Sequence, residues 1–240
     1  MPRTSSTVVV PCFNEARRIE LMRFGELTEQ GLRVLFVDDG SRDETRQVLE
    51  RGAAAEPGFS VLVLEQNVGK GEAVRQGLLA AIAAGAERVG YLDADLATPP
   101  SEMLRLFDAL GPDVEVALGS RVSLLGRHIE RSPARHYLGR VFATAASLAL
   151  GLRVYDTQCG AKAFRVTPAL EAALASPFRS RWVFDVELIE RLLAGDGFVA
   201  ERMIEVPLRE WRDVRGSKLS AAGMARAATD LLALALRRRR

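Results

Sequence analysis

Cysteine, histidine and lysine are all scarce in this chain, and each shortage narrows what it can do. Two cysteines, Cys12 and Cys159, and two histidines, His128 and His136, are the whole supply. The cysteines stand far apart without metal-type spacing, which excludes a metal site built on thiolates; with no signal peptide they are expected as reduced thiols in a cytoplasmic protein. Long apolar runs are lacking too. The longest charge-free stretches, such as residues 141–152, fall short of the ~20 residues a membrane-spanning helix needs, so the expectation is a soluble protein or one lying on a membrane. A strong excess of either charge sign is also absent: the net charge is +2, which argues against nucleic acid as the main partner.

What is present is ordinary globular material. With 48% apolar and 27% charged residues over 240 positions, the chain can bury the core of one large domain and is not disordered. Its basic residues are unevenly placed. Arg121, Arg127, Arg131, Arg135 and Arg140 gather with both histidines, and four arginines occupy residues 237–240. Such patches suit anionic phosphates or a lipid surface, and equally a solvated face. Just three lysines occur, Lys70, Lys162 and Lys218, each inside a glycine-containing motif where an arginine fork is no substitute for an ammonium.

The first half alternates strands and helices. Residues 7–11, 33–37, 61–64, 88–92 and 114–118 read as strands. Helices are expected after Asn14, after Asp43, over 71–84, and over 101–110 with Ser101 as its cap. Repeated β-α-β units argue for a mainly parallel sheet flanked by helices. A later helix is expected with Ser132 as cap and Pro133 in its first turn. Its apolar stripe would run through Leu138, Val141, Phe142, Ala145, Leu148, Ala149 and Leu152, opposite His136, Arg140, Thr144 and Ser147. A final amphipathic helix over residues 220–236 precedes the basic tail and could lie on anionic lipid or pack on the domain.

Acidic residues follow three of these strands. Asp93-Ala94-Asp95 ends the fourth, Pro11-Cys12-Phe13-Asn14-Glu15 the first, and Asp38-Asp39-Gly40-Ser41 the second. Open α/β sheets place ligands beyond the carboxyl ends of their strands. With only oxygen ligands on offer, Asp93 and Asp95 suit a hard cation, Mg2+ or Mn2+, held together with substrate phosphates. Asn67-Val68-Gly69-Lys70-Gly71 precedes a helix but lacks the spacing of an ATPase phosphate loop; Lys70 and the helix start could still steady a diphosphate.

Taken together, these motifs resemble family-2 glycosyltransferases with the Rossmann-like GT-A fold. The second half sharpens the likeness: Gly119-Ser120-Arg121, Asp156-Thr157-Gln158-Cys159-Gly160-Ala161-Lys162-Ala163-Phe164, Trp182-Val183-Phe184-Asp185-Val186-Glu187-Leu188 and Gly216-Ser217-Lys218-Leu219 are similar to those of dolichyl-phosphate glucosyltransferases and bacterial polyprenyl-phosphate relatives. The resemblance covers residues 7–220, divided into a nucleotide-sugar half to residue 120 and an acceptor half beyond. It implies that Pro11, Asn14, Glu15, Asp38, Asp39, Lys70, Asp93 and Ala94 meet the nucleotide-sugar, with Asp93 and Asp95 on the metal. It implies an acceptor phosphate held by Arg121, Arg131, Arg135 and Lys218, and catalytic roles for Asp95, Asp156 and Asp185. Two positions depart from the pattern. Ala97 stands where some lipid-phosphate mannosyltransferases carry a glutamine, and Ala161 replaces a common phenylalanine.

The implied reaction is inverting transfer of a hexose, glucose foremost, from a UDP-sugar to a polyprenyl phosphate, by an enzyme peripheral to the inner face of the cell membrane. A phosphate nucleophile, with its second pKa near ~6, needs no strong base. A soluble hydroxyl acceptor would need one. A non-catalytic nucleotide-sugar-binding or scaffold protein is the reading from another class.

Overall fold

A computed structural model describes residues 5–130, 133–180 and 183–214. Seven strands form one sheet: β1 (Ser6–Cys12), β2 (Arg33–Asp38), β3 (Phe59–Val63), β4 (Arg88–Leu92), β5 (Val116–Ser120), β7 (Ala161–Arg165) and β8 (Met203–Pro207). Their spatial order is β3-β2-β1-β4-β7-β5-β8. Two short strands, β6 (His128–Glu130) and β9 (Glu210–Arg212), pair separately in parallel.

The central strands are apolar throughout because both their faces are covered. Val8 and Val10 of β1 point into one cluster with Phe24, Phe36, Met103 and Phe107. Their neighbour Val9 points into the other with Val74, Leu78, Tyr91 and Phe184. Helices α1 (Leu21–Glu29), α2 (Thr45–Ala55) and α4 (Pro100–Ala109) supply the first cluster. Helices α3 (Lys70–Ala83), α5 (Pro133–Leu150), α6 (Pro168–Leu174) and α7 (Phe184–Ala194) supply the second. Edge-on stacking of Phe24 and Phe59 against Phe36, at 5.3 and 5.1 Å, closes the first.

Two features of the topology place the site. The chain runs outward from β1 through β2 to β3, then returns to lay β4 on the other side of β1. That reversal opens a crevice at the carboxyl ends of β1 and β4. Strand β7 is then inserted antiparallel between β4 and β5, with Leu92 opposite Ala161. Its amino end therefore arrives where its neighbours finish, and the loop before it joins the same rim.

The expected mainly parallel sheet is confirmed, with β7 as its one antiparallel member. Strand β3 begins two residues and ends one residue before its expected span, and β5 lies two residues beyond its own. Ser101 does not cap α4: Pro99 holds the cap position without a side-chain bond, and Pro100 opens the helix. The largest correction concerns α5. Among its described side chains the buried ones are Ala143, Ala146 and Leu150, while Val141 and Leu148 from the expected core stripe are 68% and 78% exposed; the side chains of His136 and Leu138 lie outside the described residues. Ser147, expected on the polar side, is turned inward, where its hydroxyl bonds the backbone of Val154. Leu150 is buried with the two alanines and Phe142 packs partly against the core, so the inward face is turned away from Val141 and Leu148 and toward Ala143 and Ala146. Ser132, Arg131, Trp182, Lys218, Gly216–Leu219 and the expected final helix lie outside the described residues.

Candidate active site

Three strand ends build the rim. After β1, the Asn14 N–H donates to Ser41 Oγ at 3.0 Å, and Asn14 Oδ1 accepts from the Arg42 N–H at 2.9 Å. Glu15 and Ala16 N–H groups both bond Thr45 Oγ1. The loops after β1 and β2 are thus laced together, with Glu15 buried against the Arg18 guanidinium. Asn14 takes a positive φ of 55°, which asparagine tolerates better than most residues.

Asp38 and Asp39 are both buried. Asp38 accepts the Ser41 N–H at 3.2 Å. Asp39 holds the third loop: its carboxylate accepts from Val68 N–H at 2.7 Å, Gly69 N–H at 3.0 Å and Asn67 Nδ2 at 2.9 Å. Gly69, at φ +96°, then turns the chain into α3, where Lys70 is the first residue. The Asn-x-Gly-Lys segment that resembled a phosphate loop is therefore fastened to the second strand's carboxylate.

Lys70 reaches across to Asp93, and Nζ lies 2.6 Å from Oδ1. Burial disfavours the ammonium, but the charges of Asp93, Asp185 and Asp95 outweigh it and raise its pKa above the ordinary lysine value. Asp95 shifts the opposite way for a carboxylate. Burial and then the Asp93 charge push its pKa up, against the Ala97 N–H, Lys70 and Arg18. Leu96 follows at φ +54°, a strained conformation for a branched side chain, so the turn after Asp95 is held under tension by its surroundings. Gly160 makes room for Asp93: a Cβ there would collide with the Asp93 carboxylate, and the Asp93 N–H bonds the Gly160 carbonyl at 3.0 Å.

Beside this group, Asp156 grips Arg121 with both oxygens, at 2.6 Å to Nε and 2.8 Å to a terminal nitrogen, and accepts the Arg121 N–H at 3.0 Å. The Gln158 N–H adds a fourth bond at 3.1 Å. Burial opposes ionisation here, yet the Arg121 charge and its hydrogen bonds hold the Asp156 carboxyl at about 2. That is far below what a general base needs near neutrality. Asp185 is also paired, with Lys162 Nζ at 2.7 Å and the Tyr91 hydroxyl; Lys162 is fully buried and bonds the Cys159 carbonyl at 2.7 Å. Glu187 binds Arg191 at 2.8 Å, one turn on along α7.

The rim therefore gathers Pro11, Asn14, Glu15, Asp38, Asp39, Lys70, Asp93, Ala94, Asp95, Arg121 and Asp156, with Asp185 behind them. Arg131 and Lys218 lie outside the described residues, as does the side chain of Arg135. Among the described residues, no three His, Cys, Asp or Glu side chains cluster as a ready metal cage. One contributor escaped sequence reasoning. Glu205 on β8 accepts the N–H groups of Tyr155 and Asp156 at 2.7 and 2.8 Å, and so fixes the loop that carries Asp156. Its signal was a carboxylate inside the apolar strand Met203-Ile204-Glu205-Val206-Pro207.

Residues 7–171 match the family described as Glycosyl transferase family 2. The chain belongs to that family. Among relatives of this family-2 chain, a dolichyl-phosphate beta-glucosyltransferase of Trichomonas vaginalis is 32% identical, the match covering 96% of this chain and 71% of that one. Enzymes of the same description from Drosophila melanogaster and Homo sapiens are 34% and 31% identical, each match covering 91% of this chain and 70% of theirs. The fold is GT-A. A mannosyltransferase from Pyrobaculum calidifontis, solved with GDP-Man and Mn2+, superposes with a TM-score of 0.61 at 21% identity, covering 97% of this chain and 64% of its own. Staphylococcus aureus TarS, residues 1–349, gives 0.54 at 17% identity, covering 96% and 71%.

Proposed function

We propose that this glycosyltransferase moves glucose from UDP-glucose to a polyprenyl phosphate, with inversion at the anomeric carbon. The observation that carries the reading is the rim itself. Asp93, Asp95 and Lys70 stand beside the Arg121–Asp156 pair, in a chain about 30% identical to dolichyl-phosphate beta-glucosyltransferases. In this reading Pro11, Asn14, Glu15, Asp38 and Asp39 form the nucleoside end, and Asp39 acts by holding the Asn67–Gly69 loop. Lys70, Ala94 and the first amides of α3 line the diphosphate. Arg121 faces the acceptor phosphate, supported by Arg131, Arg135 and Lys218.

Asp93 and Asp95 fit Mg2+ or Mn2+. Their oxygens suit a hard cation, and Asp93 Oδ1 already faces a positive charge, the Lys70 ammonium at 2.6 Å. With Ala97 two residues on, these two carboxylates are the side chains that would hold it. Bound there, the cation would offset charge developing on the leaving diphosphate. Asp156 and Asp185 serve as positioning groups, since each is tied up by a basic partner. An acceptor phosphate is already anionic near neutrality and dispenses with a strong base.

The membrane side of the proposal has support in α5. Tyr137, Val141 and Leu148 lie one and then two turns apart along its outer face, and Leu124 and Leu125 are exposed in the loop after β5. Among the described residues no helix is long and apolar enough to cross a membrane. We place the enzyme on the inner face of the cell membrane through this surface. The test incubates protein, Mn2+ and polyprenyl phosphate in detergent with a panel of radiolabelled nucleotide sugars, then extracts the lipid. Label entering the organic phase from UDP-glucose supports the proposal; release of UDP with all label aqueous overturns the lipid acceptor.

A further inference from the structure

Asp156 accounts for one edge of the Arg121 guanidinium, taking Nε and the terminal nitrogen Nη2. A second contact covers a face: Cζ lies over the Trp211 ring, 5.5 Å from its centroid, within cation–π range. The other terminal nitrogen, Nη1, takes no hydrogen bond among the described residues and is not sealed from solvent. The side chain as a whole is 14% exposed. Nη1 and the second hydrogen of Nη2 therefore form a free outer edge with two N–H groups side by side.

Trp211 is itself firmly seated. It is 8% exposed, mid-way along β9 and opposite Ile129 of β6. Glu102 on α4 accepts the N–H groups of Arg209 and Glu210 at 2.8 and 3.2 Å, which fixes the start of β9. At its end the Arg212 N–H bonds the Ala97 carbonyl at 3.0 Å, and the Ala97 N–H bonds Asp95 at 3.1 Å. Strand β9 thus ties the turn that carries Asp95 to the ring that covers Arg121. A guanidinium held on one edge and one face has little freedom left to lose when a ligand arrives. Its free edge has the planar, two-pronged geometry that matches a phosphate.

We infer that Trp211 is a positioning residue for the acceptor, holding Arg121 so that its free edge can take a phosphate monoester. The inference rests on the proposed reaction, in which Arg121 meets the acceptor phosphate.

The experiment measures KM for polyprenyl phosphate and for UDP-glucose with wild type, Trp211→Phe and Trp211→Met. Losing the aromatic face should raise the acceptor KM of Trp211→Met about 5- to 30-fold, the worth of a partly desolvated cation–π contact. Its kcat and its KM for UDP-glucose should stay within about twofold of wild type. Trp211→Phe keeps a ring and should hold the acceptor KM within about threefold. A second readout spares the packing: fluorinated tryptophans, inserted in place of Trp211 by codon suppression, keep its shape but withdraw charge from the ring face. The acceptor KM should climb with each added fluorine. A flat fluorine series, equal rises in KM for both substrates, or a phenylalanine variant no better than methionine would overturn the inference. If wild type transfers nothing to polyprenyl phosphate, the proposed reaction itself has failed, and inorganic phosphate becomes the probe. In protein with isotope-labelled arginine it should move the Arg121 Nε–H resonance saturably, with weaker affinity in Trp211→Met. An unmoved resonance, or equal affinity, then overturns the inference.

Discussion

Replacing Asp156 by asparagine should cost stability in a way that separates an anchor from a base. The carboxylate makes four hydrogen bonds, three of them to Arg121, in a buried setting. Removing one charge of such a pair leaves the other stranded, at roughly 3 kcal/mol or more. For a chain of this size that corresponds to a melting temperature about 6–12 °C lower. The pH dependence follows from the sign of the shift. Asp156 titrates at about 2 in the folded chain, below its value when unfolded, so its contribution is complete above pH ~4 and disappears as pH falls through about 2. The shift is worth about 2 kcal/mol, and the asparagine variant should lack that part of the acid transition. The assay is urea denaturation between pH 2 and 7 on wild type, Asp156→Asn, Arg121→Met and the double variant Arg121→Met/Asp156→Leu. The double variant should be less destabilised than either single one, since no buried charge then lacks its partner. Additive losses, or an Asp156→Asn protein as stable as wild type at pH 7, would refute the anchoring role.

Further outcomes follow from the same contacts. Gly160→Ala should destabilise the fold by about 1–3 kcal/mol and abolish transfer, because the added methyl meets the Asp93 carboxylate; a crystal structure of the variant would locate that carboxylate displaced. Lys70→Met should tighten Mn2+ binding without donor by about two- to fivefold, read as free Mn2+ by electron paramagnetic resonance, since the half-exposed ammonium occupies Asp93. Weaker Mn2+ binding would mean that Lys70 does not compete there. Glu205→Gln should speed hydrogen exchange at the Tyr155 and Asp156 amides about tenfold while leaving β1 and β2 protected. Val141→Glu with Leu148→Glu should leave melting unchanged and abolish sedimentation with anionic vesicles; undiminished sedimentation would remove α5 from the membrane side of the proposal.

The first 120 residues were legible because the central strands there are buried on both faces. Unbroken runs such as Val8-Val9-Val10 admit few other readings, and the acidic residues after them mark strand ends directly. The residues beyond 120 were legible only as motifs. Nothing local in Ala161-Lys162-Ala163-Phe164 says that this strand runs antiparallel, or that Lys162 is buried against Asp185; both follow from tertiary insertion between β4 and β5. Helix α5 misled for a related reason. Its bulky residues follow a helical stripe, but the face that packs on the core carries Ala143, Ala146 and Leu150 and leaves Val141 and Leu148 exposed. The pairing of Asp156 with Arg121, 35 residues earlier, was beyond any spacing rule.

The most direct test of the central claim is transfer of radiolabel from UDP-glucose to polyprenyl phosphate by wild type and by Asp95→Asn, scored in the organic phase with Mn2+ present. The expected result is lipid-borne label from wild type and only background from the variant, with both proteins melting alike. Equal transfer by Asp95→Asn, or UDP release by wild type with no label in the lipid, would contradict the account.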